Sequence, residues 1–490
     1  MKKASKETAL DWIVQNEKRV VEISNTIWRW AEVGLQEFKT SKLCADTLEN
    51  SGFRVQRGVA GMPTAFVATY GSGKPVIGAM AELDALPGLS QKAVPHKEPF
   101  TEGAPGHGCG HNAYATSAVA GGIAARVAIE EAGLKGTIKV FGCPAEETLV
   151  GKIFMVRDRC FDGLDACLGN HPTSSNGVSL NPGTAMNSFK VEFFGRASHA
   201  AGSPEMGRSA LDAVELMNTG VNFLREHVIQ EARIHYVIEK GGIQPNVVPP
   251  YARSWYYVRA PLREVTQRIY ERILKIADGA DLMTETTHKI NFLTGCYQTL
   301  NNLTLSSLIV RNMLEIGAPT YTKEEYDFAK ELAKSIPRDE KITLLQKSHL
   351  PNWEKMADID LDTNIHYPWG QELYPDKGTG ASSDVGDVSW NVPTVEFRTA
   401  GFVVGSPGHS WQNAAVMGMG IGQKSAIFGA KTIAGTILDL LTDPEILRKI
   451  QEEFRTSTGG MEYRSPLSPD AKPPLDQLGK QPENMPLSSV

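Results

Sequence analysis

Histidine, cysteine and carboxylate side chains gather in five short segments of this 490-residue sequence. The first is His107-Gly108-Cys109-Gly110-His111-Asn112. Cys109 and His111 stand two residues apart among glycines, so a tight turn lets both face one point. A thiolate and an imidazole together suit Zn²⁺ or a similar first-row ion. A helix starting directly after them favours the thiolate through its N-terminal dipole. Alone, the segment also fits a Gly-rich turn around a buried cysteine.

The second segment is Cys143-Pro144-Ala145-Glu146-Glu147-Thr148. Adjacent carboxylates point apart, so one can bind metal while the other handles protons. Gly169-Asn170-His171-Pro172, Gly405-Ser406-Pro407-Gly408-His409-Ser410 and Glu82-Leu83-Asp84 complete the set. Each of these four follows a strand-like run, where ligands gather in open α/β sheets. Taken singly, a Glu-Glu pair or a loop histidine reads as a solvated surface group. Together, Cys109, His111, Glu147, His171 and His409 supply five ligands, more than one tetrahedral site needs. That number suits two ions, typically about 3.5–4 Å apart in hydrolases. Glu146 is then free as general base, taking a proton from water and passing it to the leaving amine. Glu82 and Asp84 read as further ligands or as orienters of imidazole. A Cys109–His111 nucleophile pair is the rival chemistry. Its spacing is awkward, and it leaves Glu147, His171 and His409 without a role.

Positioning such a set requires alternating strands and helices. Ile13, Val20, Ile23, Ile27 and Trp30 recur at helical intervals. Strand-like runs follow at Ala65–Tyr70 and Pro75–Ala81, then a Pro/Gly-rich loop. Ala113–Glu131 reads as a helix ended by Gly133. Thr137–Phe141 and Asp165–Leu168 read as short buried strands flanking a helix over Lys152–Cys160. This order predicts an α/β fold with a mainly parallel, doubly wound sheet. Between about 187 and 295 the order becomes βαββαβ, the ferredoxin-like unit. Strands there are expected at Ser188–Gly195, Arg233–Glu239, Ser254–Val258 and His288–Leu293. α/β character then resumes, so this unit reads as an insertion. The expected organisation is 1–186 and 296–460 as two parts of one domain, 187–295 as the insert, and 461–490 as an extended tail. Thr394–Val404 reads as a strand and Gly418–Leu441 as a long helix. Tyr321–Lys355 is charged and helical in character, with no role legible in it.

The balance of 50 basic against 56 acidic residues, net −6, speaks against a nucleic-acid partner. Six cysteines are too few for a disulfide scaffold. The two N-terminal lysines lack the apolar stretch of a signal peptide. Lys424 and Lys431 interrupt the most membrane-like window. A cytoplasmic protein with reduced thiols and no membrane partner is expected.

The segments GAMAELDALPG, GHGCGHN, GCPAEET, FGRASHAAGSP and SPGHSWQ, in this order and spacing, resemble the M20 metallopeptidase family. The likeness covers roughly residues 10–445 and is nearest the branch of aminoacylases and related amidohydrolases. It implies a zinc-peptidase-like catalytic domain with a ferredoxin-like lid that also dimerises. It implies two divalent ions, Zn or Mn, held by Cys109, His111, Glu147, His171 and His409, with Glu146 as acid/base. It further implies that His199 stabilises the oxyanion in a partner subunit's site. By the same likeness, Asn246 and Arg259 bind the substrate's carboxylate, and a homodimer or a homologous second subunit is expected. The implied activity is cleavage of N-acyl amino acids, N-aroyl or indole-acyl, such as p-aminobenzoyl-glutamate. A dipeptidase or carboxypeptidase, and a non-catalytic partner subunit, are the alternatives. The sequence departs from the family at Glu82, where many relatives have histidine, and at Asn112, where close relatives have aspartate. An amide cannot bridge two cations as a carboxylate does, which leaves Cys109 as the candidate bridge. Residues 321–375 extend beyond compact family members and are expected to shape the pocket.

Overall fold

The computed structural model describes residues 2–370 and 381–475. Among the described residues, ten strands form two sheets. The larger contains β1 (Arg54–Arg57), β2 (Phe66–Ser72), β3 (Val76–Glu82), β4 (Gly136–Cys143), β5 (Ala166–Thr173) and β10 (Thr394–Ala400). Their order is β1-β2-β4-β3-β5-β10. β3 pairs parallel with β4 and β5, and β5 with β10; β1–β2 and β2–β4 are antiparallel. The sheet is therefore mixed and mostly parallel, as expected.

Both faces are covered. On one lie the helices Lys2–Gln15, His111–Ala132 and Gly420–Thr442, sharing one apolar core with β2 to β5. The other carries Gly151–Arg157 and Val385–Ser389. β3 is buried from Ile77 onward on both faces, which is why it reads as an unbroken apolar run. Gly121 sets the close approach of the two long helices: a β-carbon there would lie 2.8 Å from Ile433 Cγ2 and 2.9 Å from the Ala430 carbonyl. Gly420–Thr442 is long and apolar enough to cross a membrane, and it is mostly buried as a core helix here.

The smaller sheet contains β6 (Ala185–Phe194), β7 (Arg233–Lys240), β8 (Tyr251–Ala260) and β9 (Thr287–Cys296), in the order β7-β8-β6-β9. All its pairings are antiparallel. The helices Ala210–Leu224 and Arg263–Thr284 cover one face with their own core. This is the ferredoxin-like arrangement.

The structure corrects several expectations. β1 carries no sequence signal: its four residues are mostly exposed and show no apolar alternation. β5 runs past Leu168 to Thr173, so His171 lies on the strand rather than after it. The apolar run stops early because Asn170 is polar, yet it is fully buried and bonded to Ser117 and Thr399. β10 ends at Ala400, so Phe402–Val404 belongs to a turn. From Tyr463 to Leu475 the tail is irregular but packed. Tyr463 donates to Asp387, Arg157 to the Ala471 carbonyl, and Leu467 is buried. The rest of that tail, 476–490, lies outside the described residues, as do 371–375 of the segment expected to shape the pocket.

Candidate metal centre and its cavity

The candidate ligands meet beyond the carboxyl ends of the parallel strands. Gly110, at φ +87°, turns the chain into the helix His111–Ala132 and places Cys109 and His111 at its start. After β4, Glu146–Thr148 form a single tight turn between Ala145 and Leu149, both left-handed (φ +53° and +56°). β5 delivers His171. The loop after β10 delivers His409, itself at φ +53°. Non-glycine residues in this region cost about 1–3 kcal/mol each and mark sites where position outranks comfort.

Two triads emerge. Cys109, His111 and His171 form one, and Cys109, Glu147 and His409 the other. Within each, the donor atoms lie within 4.8 Å of one another. Cys109 Sγ is 3.3 Å from His171 Nε2, and His409 Nε2 is 3.3 Å from Glu147 Oε2. Cys109 belongs to both triads. Glu82, His111 and Glu146 make a third grouping deeper in the site.

The supporting contacts fix the imidazoles. His171 Nδ1 bonds the Pro172 carbonyl at 2.9 Å, which leaves Nε2 as the lone-pair nitrogen. His111 Nδ1 faces the carbonyl of Asp84 at 2.9 Å and its Oδ1 at 3.1 Å. Asp84 Oδ2 accepts the backbone N–H of Glu147, so one carboxylate aligns two ligand segments. Asn112 donates to Ser24 Oγ at 3.1 Å and so is committed away from the ligand atoms.

Glu82, a ligand or an orienter by its sequence position, does neither job alone. Its Oε2 lies 3.2 Å from His111 Nε2, and its Oε1 lies 2.7 Å from Lys152 Nζ. Lys152 also contacts Asp384 Oδ1 at 2.5 Å, and all three side chains are buried. Sequence reading misses Lys152 and Asp384. Neither carries a sequence signal beyond a single charge of the kind that most surface loops share.

The donor set fits divalent cations. His111 Nε2 and Glu147 Oε1 are buried without a hydrogen bond. Burial, with the charge of Glu147, pushes the Cys109 thiol far up. Burial raises the Glu147 carboxyl to about 8, and burial together with the charge of Glu82 raises Glu146. Burial opposes the His111 cation, but the Cys109 thiolate and the Glu82 and Asp84 carboxylates outweigh it. Donors that hold protons when packed bare are ones a metal ion relieves of them. Soft thiolate, imidazole and one carboxylate suit Zn²⁺ or a neighbouring first-row ion.

Beside the triads lies a cavity of about 580 Å³. Cys109, Glu146, Glu147, His171 and His409 line it, and so does Arg259 from β8. His199 and Asn246 do not. They sit together on the exposed loop face of the smaller unit, where Ala200 N–H donates to the Asn246 carbonyl. His199 Nδ1 accepts from the backbone N–H groups of Ala201 and Gly202, which assigns its ring proton to Nε2.

The profile of Peptidase family M20/M25/M40 matches residues 78–415. The chain is 39% identical over 468 residues to one of the subunits of p-aminobenzoyl-glutamate hydrolase from Escherichia coli, covering 94% of this chain and 97% of that one. It is 28% identical to a mouse Xaa-Arg dipeptidase, covering 92% of each. Among solved structures, a Bacillus subtilis protein described as a dinuclear metal binding peptidase from the M20 family superposes with a TM-score of 0.55. That match has 16% identity and covers 87% of this chain and 98% of that one.

Proposed function

The chain belongs to Peptidase family M20/M25/M40 and is a metal-dependent hydrolase of amide bonds; within that class we propose that it splits N-acyl amino acids, N-aroyl ones such as p-aminobenzoyl-glutamate among them. The observation that carries this reading is the pair of ligand triads sharing Cys109, with Glu146 in the same cavity. The name of the 39%-identical relative supports the substrate class.

Cys109, His111 and His171 would hold one divalent ion, Zn or Mn, and Cys109, Glu147 and His409 the other. Such ions, when bound, polarise the amide carbonyl and make water more acidic. Glu146 takes a proton from the attacking water on its carboxylate and hands it to the departing amide nitrogen. Its burial suits it to that traffic, because a raised carboxyl gives and takes protons nearer neutrality. Asp84 holds the His111 ring and the Glu147 backbone in register. Arg259 receives the α-carboxylate of the amino-acid half.

His199 and Asn246 act across the interface of a dimer. The lid of one copy presents the Nε2–H of His199 to the oxyanion in the opposite copy's cavity. The exposed Ile243, Val247 and Ile238 near this face suit burial against a second chain. The cysteines are all free, in keeping with a reducing, cytoplasmic setting.

The test is hydrolysis of p-aminobenzoyl-glutamate by the purified chain, before and after exhaustive chelation and again after metal return. Loss on chelation and recovery with Zn²⁺ or Mn²⁺ is expected. Full activity in metal-free protein would sink the mechanism. A second reading follows from the relative's name, which makes it one subunit of its hydrolase: the chain works only with a homologous partner. Turnover by the isolated chain rules that out.

A further inference from the structure

The cavity holds more positive charge than α-carboxylate binding needs. Besides the ligand cluster and Glu146, four charged residues line it: Arg259, Lys347, Glu396 and Arg398. Glu396 accepts a hydrogen bond from the Tyr114 hydroxyl at 3.1 Å. None of the three cations makes an ion pair with a carboxylate among the described residues. Arg259 stacks over Tyr257 at 5.6 Å, and its Nε is buried without a hydrogen bond. The Arg398 guanidinium lies 6.0 Å from the centre of the Trp369 ring. Lys347 ends the helix Arg338–Lys347, part of the charged segment for which the sequence suggests no role.

Position strengthens the point. Arg398 stands opposite His171 in the parallel β5–β10 register, so it sits beside a ligand-bearing residue. Glu396 and Arg398 alternate on the same face of β10, and both line the cavity. Lys347 comes to the same cavity from an element remote in sequence. Burial disfavours the Arg398 cation, with only Glu396 opposing that effect. A guanidinium held in such surroundings without a paired carboxylate is one that gains from an anionic ligand.

Resting on the amidohydrolase reading above, we propose that Arg398 and Lys347 bind a second carboxylate, that of an acidic side chain on the amino-acid half of the substrate. The enzyme then selects N-acyl derivatives of dicarboxylic amino acids. Arg259 takes the α-carboxylate and the Arg398–Lys347 pair takes the side-chain carboxylate. A neutral side chain leaves two cations facing an uncharged group, and a basic one meets like charge. The inserted helix that carries Lys347 is thereby a specificity element. The same logic separates the two relatives by name: the cavity charge suits a product such as glutamate and opposes one such as arginine.

The experiment compares p-aminobenzoyl conjugates of glutamate, glutamine and lysine on the wild-type protein, K347M and R398Q. Binding of free glutamate and glutamine to the same proteins is followed by calorimetry. Wild type is expected to favour the glutamate conjugate over the glutamine one by about tenfold or more in kcat/KM. K347M, a change at an exposed side chain, should raise KM for the glutamate conjugate about tenfold. It should raise KM for the glutamine conjugate much less, so that the preference between the two conjugates falls. R398Q should erase the preference and weaken glutamate binding in calorimetry. K347E should shift preference toward the lysine conjugate. Equal turnover of the glutamate and glutamine conjugates by wild type overturns this proposal and leaves the amidohydrolase reading intact. So does an equal loss on both conjugates in K347M. Turnover of none of the three, together with no glutamate binding in calorimetry, overturns the N-aroyl amino acid reading, and this proposal with it.

Discussion

At the carboxyl ends of β3, β4 and β5, several buried charges meet an opposite charge within the same chain. Glu82 meets Lys152, Lys152 meets Asp384, and Asp84 meets His111. On the loop face of the smaller unit the contrary holds. His199 and Asn246 are exposed, make only local backbone contacts, and stand near Ile243, which is fully exposed. One region is complete within a single chain. The other holds His199 and Asn246 away from the cavity lined by the described residues of their own chain. A metal centre must be rigid before substrate arrives, whereas a lid must be able to leave.

The largest expected effect lies at the centre of the first region. Glu146→Gln should cut turnover by about 10³-fold or more while both ions stay bound, since neither triad sharing Cys109 includes Glu146. Metal analysis of that variant also probes the grouping of Glu82, His111 and Glu146. Loss of an ion would place one there and redraw the site.

Next comes the buried cluster of Glu82, Lys152 and Asp384 behind the ligands. Lys152→Met strands the carboxylates of Glu82 and Asp384 in the core. It should cost about 3–5 kcal/mol of stability in a urea titration. A cost near zero would mean that the two carboxylates are protonated or hydrated, and that the first region is not self-sufficient.

The second region should respond in the opposite sense. His199→Ala should change stability by less than about 0.5 kcal/mol, as exposed positions do, yet turnover should collapse. Mixing inactive His199→Ala with inactive Glu146→Gln should restore about a quarter of wild-type activity. Half the chains then sit in mixed dimers with one intact site each. No recovery on mixing would place His199 at its own chain's cavity and erase the contrast.

A smaller effect concerns pH and the packed tail. Burial raises Asp387 to about 7, against hydrogen bonds from Tyr463 and Tyr297 that lower it. Folding thus favours its protonated form. The stability it lends is complete below the ordinary value of 3.8 and is lost as pH rises through about 7. Asp387→Asn should flatten the stability–pH curve between those limits. An unchanged slope would show that the tail does not bury this carboxyl in solution.

The strands and the ligand segments are legible because both are local. An apolar run next to a histidine or a Glu-Glu pair is visible within ten residues. Asn170 shows where locality fails: a strand residue that is polar because it bonds buried hydroxyls looks like a loop. Lys152 and Asp384 fail differently, since their partnership spans 232 residues and periodicity reports faces rather than partners. Lys347 and Arg398 escape notice for the same reason. A lysine at the end of a charged helix looks solvated until the fold brings it to a cavity. For Asn112 the sequence tells only what an amide cannot bridge, and the fold commits it to Ser24 instead.

The central claim is that one thiolate is common to two metal positions. Metal content by mass spectrometry on wild type, Cys109→Ser and His409→Ala tests it most directly. Two ions per chain are expected in wild type, fewer than one in Cys109→Ser, and one in His409→Ala. Two ions and full activity in Cys109→Ser would contradict the shared site.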